Sequence, residues 1–371
     1  MSISFNTKAL ELYLKDLGWD TEGLEVSPLV GGQSNPTYKI SSGNQHAVLR
    51  KKPTGKLLPS AHAIDREYRV MQALSMTEVP VPKMLSYCED ESVIGTPFFL
   101  MSFLDGRVFN DQSLPHLSQF DRRAIYHEMN RVIAAIHKVD YQAIGLESFG
   151  KPGNYFSRQV GRWSRQVNES TIPIPEALLK LIEWLPHHIP ADDETTLVHG
   201  DFRLDNMVFD HKENKVIGVL DWELSTLGHP MADFSYQCMA WRIPPSLWRG
   251  IGGLDLVKLG IPTEKEYIEW YETNSGRTVN SDWNFYMAYN FFRIAAILHG
   301  VAQRAVDGNA SASDARENGQ KAGLLAEIGM RCVGISYFNK SAKLSFIALA
   351  TDFPEQMVLT SPGACARTSW V

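Results

Sequence analysis

Leucines recur at helical spacing through residues 6 to 17 and predict a short amphipathic helix at the start of the chain. The period then changes. Val26 to Val30, TYKI and HAVLR are short strand-like runs separated by GGQSNP and SSGNQ, which predicts three antiparallel strands with a glycine-rich first turn. The basic loop KKPTGKLLPS leads into a helix over roughly 62 to 75. After VPVPKML, two more strand-like runs, SYCE and TPFFLMSFL, are joined by DESVIG. A sheet with one helix in this first stretch describes a small α+β lobe.

From Ser118 the pattern becomes helical. LSQFDRRAIYHEMNRVIAAIHKV opens with Ser118 and Asp121 as a capping box, and its apolar residues keep a helical period. Further helices are expected around 176 to 187, 264 to 274, 283 to 305 and 311 to 333. NFYMAYNFFRIAAILHG is apolar nearly all round and reads as a central buried helix. Inside this second lobe MVFD (207–210) and KVIGVL (215–220) pair as a short hairpin. The chain therefore divides into 1–104, a small antiparallel-sheet lobe with a hinge, and 105–335, a mainly helical lobe. Residues 336–371 lack periodicity and are expected to form a loosely docked or disordered tail.

Composition refines this picture only slightly. A length of 371 residues exceeds one compact core, in keeping with two lobes. With 44% hydrophobic and 21% charged residues the chain reads as an ordinary soluble globular protein. A net charge of −6 and the lack of a basic tract argue against a nucleic-acid or membrane partner. Cys88, Cys238, Cys332 and Cys365 show neither zinc-site spacing nor disulfide-scaffold density, which suits a reducing compartment. The N-terminus lacks the apolar stretch of a signal peptide, and no apolar run reaches about 18 residues. The expectation is a cytoplasmic protein.

The candidate chemistry gathers in LVHGDFRLDNMVFD (197–210) and in the VIGVLD run that follows. If the hairpin turns through 212–215, Asn206 falls opposite Asp221 just beyond both strand ends. An amide oxygen beside a carboxylate at an open edge suits a hard cation such as Mg²⁺, particularly one sharing its shell with phosphate. Asp201 lies on the loop before Asn206, where its carboxylate could accept a proton from an attacking hydroxyl. Turn capping accounts for any one of these residues alone; their joint spacing favours a site.

The first lobe offers an independent test. In GGQSN, Gly31 and Gly32 permit positive φ, while Ser34 and Asn35 offer donors towards phosphate; a plain hairpin loop would look the same. Glu67 sits on the apolar stripe of its helix between Ile64 and Met71, so it needs a cation partner unless it lies at the stripe's solvated edge. Arg50, at the end of HAVLR, is the first choice, and Lys51, on the opposite strand face, is the reserve.

HGDFRLDN, then VLDWE, then HPMADFS resemble the aminoglycoside phosphotransferase group, whose fold is similar to protein kinases. GGQSN, VLRKKPTGKLLPSAHAIDREYRV and FLDGRVF resemble more narrowly the branch fused to, or encoded beside, acyl-CoA dehydrogenases. The match runs from about residue 8 to 333. It implies a bilobal protein-kinase-like α+β fold and an ATP-dependent, Mg²⁺-assisted phosphotransferase acting on an alcohol group. It makes Asp201 the catalytic base and Asn206 and Asp221 the Mg²⁺ ligands. Arg50 takes the place of the strand lysine that pairs with Glu67. Ser102 and Leu104 become backbone contacts to the adenine edge beside Met101. His199 is implied to organise the loop, and Asp233 to tie that loop to a helix N-terminus.

The acceptor is less legible. Arg158, Arg162 and Arg165 recur at helical spacing and could meet an anionic acceptor, or simply form a solvated face. The resemblance implies a hydroxyacyl-CoA and a functional link to an acyl-CoA dehydrogenase. Two other classes compete. A catalytically silent nucleotide-binding partner module draws on Arg50 standing where lysine is usual. A metal-dependent hydrolase would use His199, Asp201, Asp221, His229 and Asp233 as a ligand set, and leaves the whole first lobe unexplained.

Overall fold

Strands β1 (Glu25–Pro28), β2 (Thr37–Ser42), β3 (Gln45–Lys51), β4 (Met84–Cys88) and β5 (Phe98–Ser102) form one antiparallel sheet in the order β1-β2-β3-β5-β4. The computed structural model describes residues 5–29, 35–53, 63–307 and 315–335. Gly32, Ser34 and the tail 336–371 lie outside the described residues. Alternation along β2 turns Tyr38 and Ile40 to one face, where they join Leu49, Phe98 and Leu100. Helix α1 (Thr7–Asp16) covers that face with Leu10 and Leu14. Full burial of each leucine stabilises by about 1.5–3 kcal/mol, which holds the helix on the sheet. Asn6 starts α1 by accepting from the Lys8 and Ala9 N–H groups.

Helix α2 (Ile64–Leu74) lies on the Arg50 side of the sheet and buries Ile64, Glu67, Val70, Met71 and Leu74. Between β4 and β5 the segment DESVIG holds a one-turn helix, α3 (Glu91–Ile94), rather than a plain connection. Asp90 caps it and Gly95 ends it in the left-handed region, but one turn is too short to show a period. Two arginines of α2 reach the second lobe: Arg66 donates to the Phe149 carbonyl, and Arg69 to the Gly145 carbonyl and the Ser148 hydroxyl. Downstream of β5, Arg107 and Phe209 exchange backbone hydrogen bonds of 2.7 and 2.8 Å.

The second lobe consists of α4 (Gln119–Lys138), α5 (Tyr155–Asn168), α6 (Glu176–Trp184), α7 (Pro230–Cys238), α8 (Leu256–Leu259), α9 (Glu264–Ser275), α10 (Trp283–Val306) and α11 (Ala315–Cys332). As its composition predicts, α10 is buried on nearly all sides, packed by α5, α6, α7 and α11. Two small ribbons carry the loops of interest: β6 (Thr196–Val198) pairs with β9 (Thr226–Gly228), and β7 (Met207–Phe209) with β8 (Val216–Val219). Among the described residues no helix is long and apolar enough to cross a membrane.

The hairpin register differs from the expected one. Met207 stands opposite Val219 and Val208 opposite Gly218, and a bulge then sets Phe209 against Val216. Asn206 therefore faces Leu220, whose N–H bonds its carbonyl, rather than Asp221. The cause lies in the turn. Asp210 donates its N–H to the Lys215 carbonyl and its carboxylate accepts from the Lys212 and Glu213 N–H groups, which sets the turn over 211–214, one residue earlier than the 212–215 expected.

Candidate active site

The loop after β6 is built on one buried carboxylate. Asp233, in the first turn of α7, accepts from the backbone N–H groups of His199 (2.7 Å) and Gly200 (2.8 Å). Burial alone would push its carboxyl up, but the His137 ring, with Nε2 3.5 Å away, and the His199 N–H outweigh burial and hold it low. Gly200 has φ of +84°, and a Cβ there would lie 2.6 Å from the Leu224 carbonyl oxygen, so glycine alone fits. The His199 Nδ1 accepts from the Asp201 N–H, which leaves Nε2 to donate to the Leu220 carbonyl. One imidazole thus ties the loop to the end of β8.

This framing presents Asp201. Its Oδ1 accepts from the Tyr236 hydroxyl at 2.6 Å. Its Oδ2 lies 3.1 Å from Arg203 Nε and 3.2 Å from Asn206 Nδ2. Asn206 also donates to the Asp201 carbonyl, so its amide nitrogen is committed and its oxygen faces away. Arg293 of α10 donates to the Gly200 carbonyl at 2.7 Å and lies over the Tyr236 ring.

The second cluster joins the lobes. Arg50 Nε donates to Glu67 Oε2 at 2.8 Å, and its Nη2 donates to Asp221 Oδ1 at 2.9 Å, with Glu223 Oε2 at 3.8 Å. Burial pushes the Glu67 carboxyl up to about 7; Arg50 opposes this, and the charges of Asp221 and Glu223 add to it. Asp221 adopts φ 65°, ψ 53°, a left-handed conformation that costs a non-glycine residue of order 1–3 kcal/mol unless its surroundings enforce it. Its hydrogen bond to Arg50 is one such constraint.

The family model described as the phosphotransferase enzyme family matches residues 25–254, a span that includes both clusters. The chain belongs to that family. It is 50% identical over 324 residues to acyl-CoA dehydrogenase family member 10 of Mus musculus, a match covering 86% of this chain and 30% of the mouse protein. The chain thus spans less than a third of that relative's length. Among solved structures, a candidate aminoglycoside phosphotransferase from Ralstonia eutropha JMP134 is 52% identical, with a TM-score of 0.82, covering 88% of this chain and 98% of that one. A thermostable mutant of aminoglycoside phosphotransferase APH(4)-Ia, in a ternary complex with ADP and hygromycin B, is 16% identical. With a TM-score of 0.59, and covering 89% of this chain and all of that one, it shares the fold. The bilobal kinase-like fold and the small-molecule phosphotransferase class follow from these matches.

In this phosphotransferase, the residues singled out in the sequence fall into two clusters and a remainder. Asp201 and Asn206 touch each other, and Arg50 touches both Glu67 and Asp221. Lys51 faces Phe98 across the strand pair, and Phe98 belongs to the α1 side, so Arg50 is the cation that meets Glu67. Ser102 bonds Lys83 with its N–H and hydroxyl. Leu104 packs against Gly218, where a Cβ would lie 2.1 Å from its side chain. Asn35 is buried at 1% exposure just before β2. On α5, Arg158 donates to the Lys151 carbonyl, while Arg162 and Arg165 are exposed. Tyr236, Arg203 and Arg293 were not singled out. Tyr236 lies three residues beyond Asp233 on the same helix face, which is the signal that could have found it.

No group of three or more His, Cys, Asp or Glu side chains among the described residues is placed to hold a metal ion. His199 and Asp233 are spent on the backbone, and His229 caps α7 through the Met231 N–H. The hydrolase ligand set therefore does not assemble.

Proposed function

We propose that the chain transfers the γ-phosphate of ATP to a hydroxyl of a small molecule, with Asp201 as base. The observation that carries this reading is the pair of clusters: a carboxylate held on a rigid loop, and a second carboxylate tied to the first lobe by Arg50 and Glu67. The acceptor oxygen would bond to the γ-phosphorus while the bond to the β–γ bridging oxygen breaks. The acceptor proton would pass to Asp201, and ADP would leave.

Asn206 and Asp221 would hold Mg²⁺. The fit rests on donor chemistry: the Asn206 amide nitrogen is committed to Asp201, leaving its oxygen, and Asp221 is partly exposed. The Arg50 guanidinium is shared between Glu67 and Asp221, so neither of those carboxylates has that cation to itself. A magnesium ion would neutralise phosphate charge. The residues themselves orient the hydroxyl and take its proton.

The proposed acceptor is a hydroxyacyl-CoA. Around Asp201 stand Arg203, Arg293 and, through Asp205, Arg249, which suits an anion better than a polycationic aminoglycoside. The name of the mouse relative, together with its extra length, supports a functional link to an acyl-CoA dehydrogenase. ATP consumption by the purified protein against panels of hydroxyacyl-CoAs, aminoglycosides, amino alcohols and sugars tests the acceptor. Stimulation by 4-hydroxyacyl-CoA is expected; stimulation by sugars or aminoglycosides instead would overturn it. The silent-module reading draws on Arg50 in place of lysine. It predicts equal residual activity in wild type and Asp201→Ala, whereas loss of about 10²–10⁴-fold is expected for a base.

A further inference from the structure

The Asp201 carboxylate has more donors than a simple base requires, and the shortest contact comes from Tyr236. A carboxylate offers about four lone-pair sites. Asn206 and Arg203 both approach Oδ2, so Tyr236 alone holds Oδ1 among the contacts described. The phenol is itself fixed. It sits on α7, the helix that anchors the loop through Asp233, and Arg293 lies 5.3 Å from its ring centroid while bonding the Gly200 carbonyl. Loop and phenol are thus held by the same two elements, α7 and α10.

We propose that Tyr236 is a positioning residue for phosphoryl transfer: its hydroxyl fixes the rotation of the Asp201 carboxylate so that the remaining Oδ1 lone pair points at the acceptor hydroxyl. This deepens the base reading of Asp201 and rests on it. The geometry gives the hydroxyl a single sense of donation, because an ionised carboxylate only accepts. Burial, and after it the Asp201 charge, push the Tyr236 pKa up, so the phenol remains a donor. Unpinned, the carboxylate could rotate towards Arg203 and lose its alignment with the acceptor. A misplacement of about 1 Å near the reacting atoms can cost 10²-fold in rate.

The test uses the full chain and MgATP with water as acceptor, so that it does not depend on knowing the natural one. Tyr236→Phe is expected to lower kcat by about 10- to 100-fold. The KM for ATP should stay within about twofold, because the nucleotide cluster around Arg50 is untouched. Tyr236→3-fluorotyrosine keeps ring and donor and is expected to retain kcat within about threefold. A Tyr236→Phe enzyme with wild-type kcat overturns the inference, as does a fluorotyrosine enzyme as slow as the phenylalanine one, which would mean that ring packing alone matters. Thermal unfolding checks that the phenylalanine variant folds. If it does not, the pH profile of the 3,5-difluorotyrosine enzyme still decides: its more acidic phenol should lose the donated proton, and kcat with it, at lower pH than in wild type, and a profile identical to wild type overturns the inference. Asp201→Asn separates the two levels. Full turnover there removes the base reading itself, while an inactive Asp201→Asn beside a fully active Tyr236→Phe removes only the role of the phenol.

Discussion

Glu67 and Asp233 are both buried, at 1% and 2% exposure, yet they shift in opposite directions. Burial raises both. Glu67 is answered by one guanidinium that Asp221 also binds and Glu223 approaches, and its carboxyl stays up at about 7. Asp233 is answered by His137 and by backbone N–H groups fixed in place, and its carboxyl goes down. The difference separates two uses of a buried carboxylate. Fixed backbone dipoles make Asp233 a permanent strut beneath the loop. A shared side-chain cation makes Glu67 one member of a cluster whose charge balance depends on what enters the cleft.

Asp233→Ala attacks the strut and carries the largest expected effect. Two buried N–H groups would lose their acceptor at a cost of about 1–3 kcal/mol each, so urea denaturation should show a loss of roughly 2–6 kcal/mol. Asp233→Asn, which keeps one acceptor oxygen, should lose less. Equal stability of Asp233→Ala and wild type would show that the loop does not depend on this carboxylate.

The strut was legible in the sequence only through the motif spacing of HGD and ADF; the cation partner of Glu67 was legible from physics. A carboxylate on the apolar stripe of α2 demanded a cation, and the end of β3 supplied Arg50. The five sheet strands and the long helices were visible because alternation and helical period extend over enough residues. What failed was local. The hairpin register depended on how Asp210 closes its turn, and two hydrogen bonds to one carboxylate accompany that closure. Arg293 was hidden because it reaches Gly200 from a distant helix, and such a contact leaves no periodicity, while Tyr236 was marked only by its i, i+3 relation to Asp233.

The opposite shifts also separate the two carboxylates by pH. For Glu67, the folded state holds its proton more tightly than the unfolded chain. Its contribution to stability is therefore complete below the ordinary value of 4.5 and is lost as pH rises towards about 7. A shift of that size corresponds to about 3 kcal/mol, an upper figure because the charges of Arg50, Asp221 and Glu223 all act on the same carboxyl. For Asp233 the sign reverses: its contribution is complete above the ordinary 3.8 and is lost as pH falls through its lower folded value. Chemical denaturation of Glu67→Gln and wild type across pH 4 to 8 isolates the first window. The wild type should lose stability relative to Glu67→Gln between about 4.5 and 7, and parallel curves would mean that Glu67 does not titrate with folding.

Arg50→Lys is the gentlest change and the sharpest test of sharing. Lysine keeps the charge but offers a compact point donor in place of a fork, so it can satisfy Glu67 and no longer reach Asp221 at the same time. Asp221 is partly exposed, at 34% for its side chain, so water replaces much of what the lost hydrogen bond supplied. The expected loss of stability is about 1 kcal/mol. Its origin can be read from a double-mutant cycle with Asp221→Asn. If Arg50 bridges the two lobes as a shared cation, most of the Arg50→Lys effect should vanish when Asp221 is already neutral. If the two effects simply add, Arg50 serves Glu67 alone. The cluster would then resemble the Asp233 strut, with one carboxylate answered by its own dedicated partner.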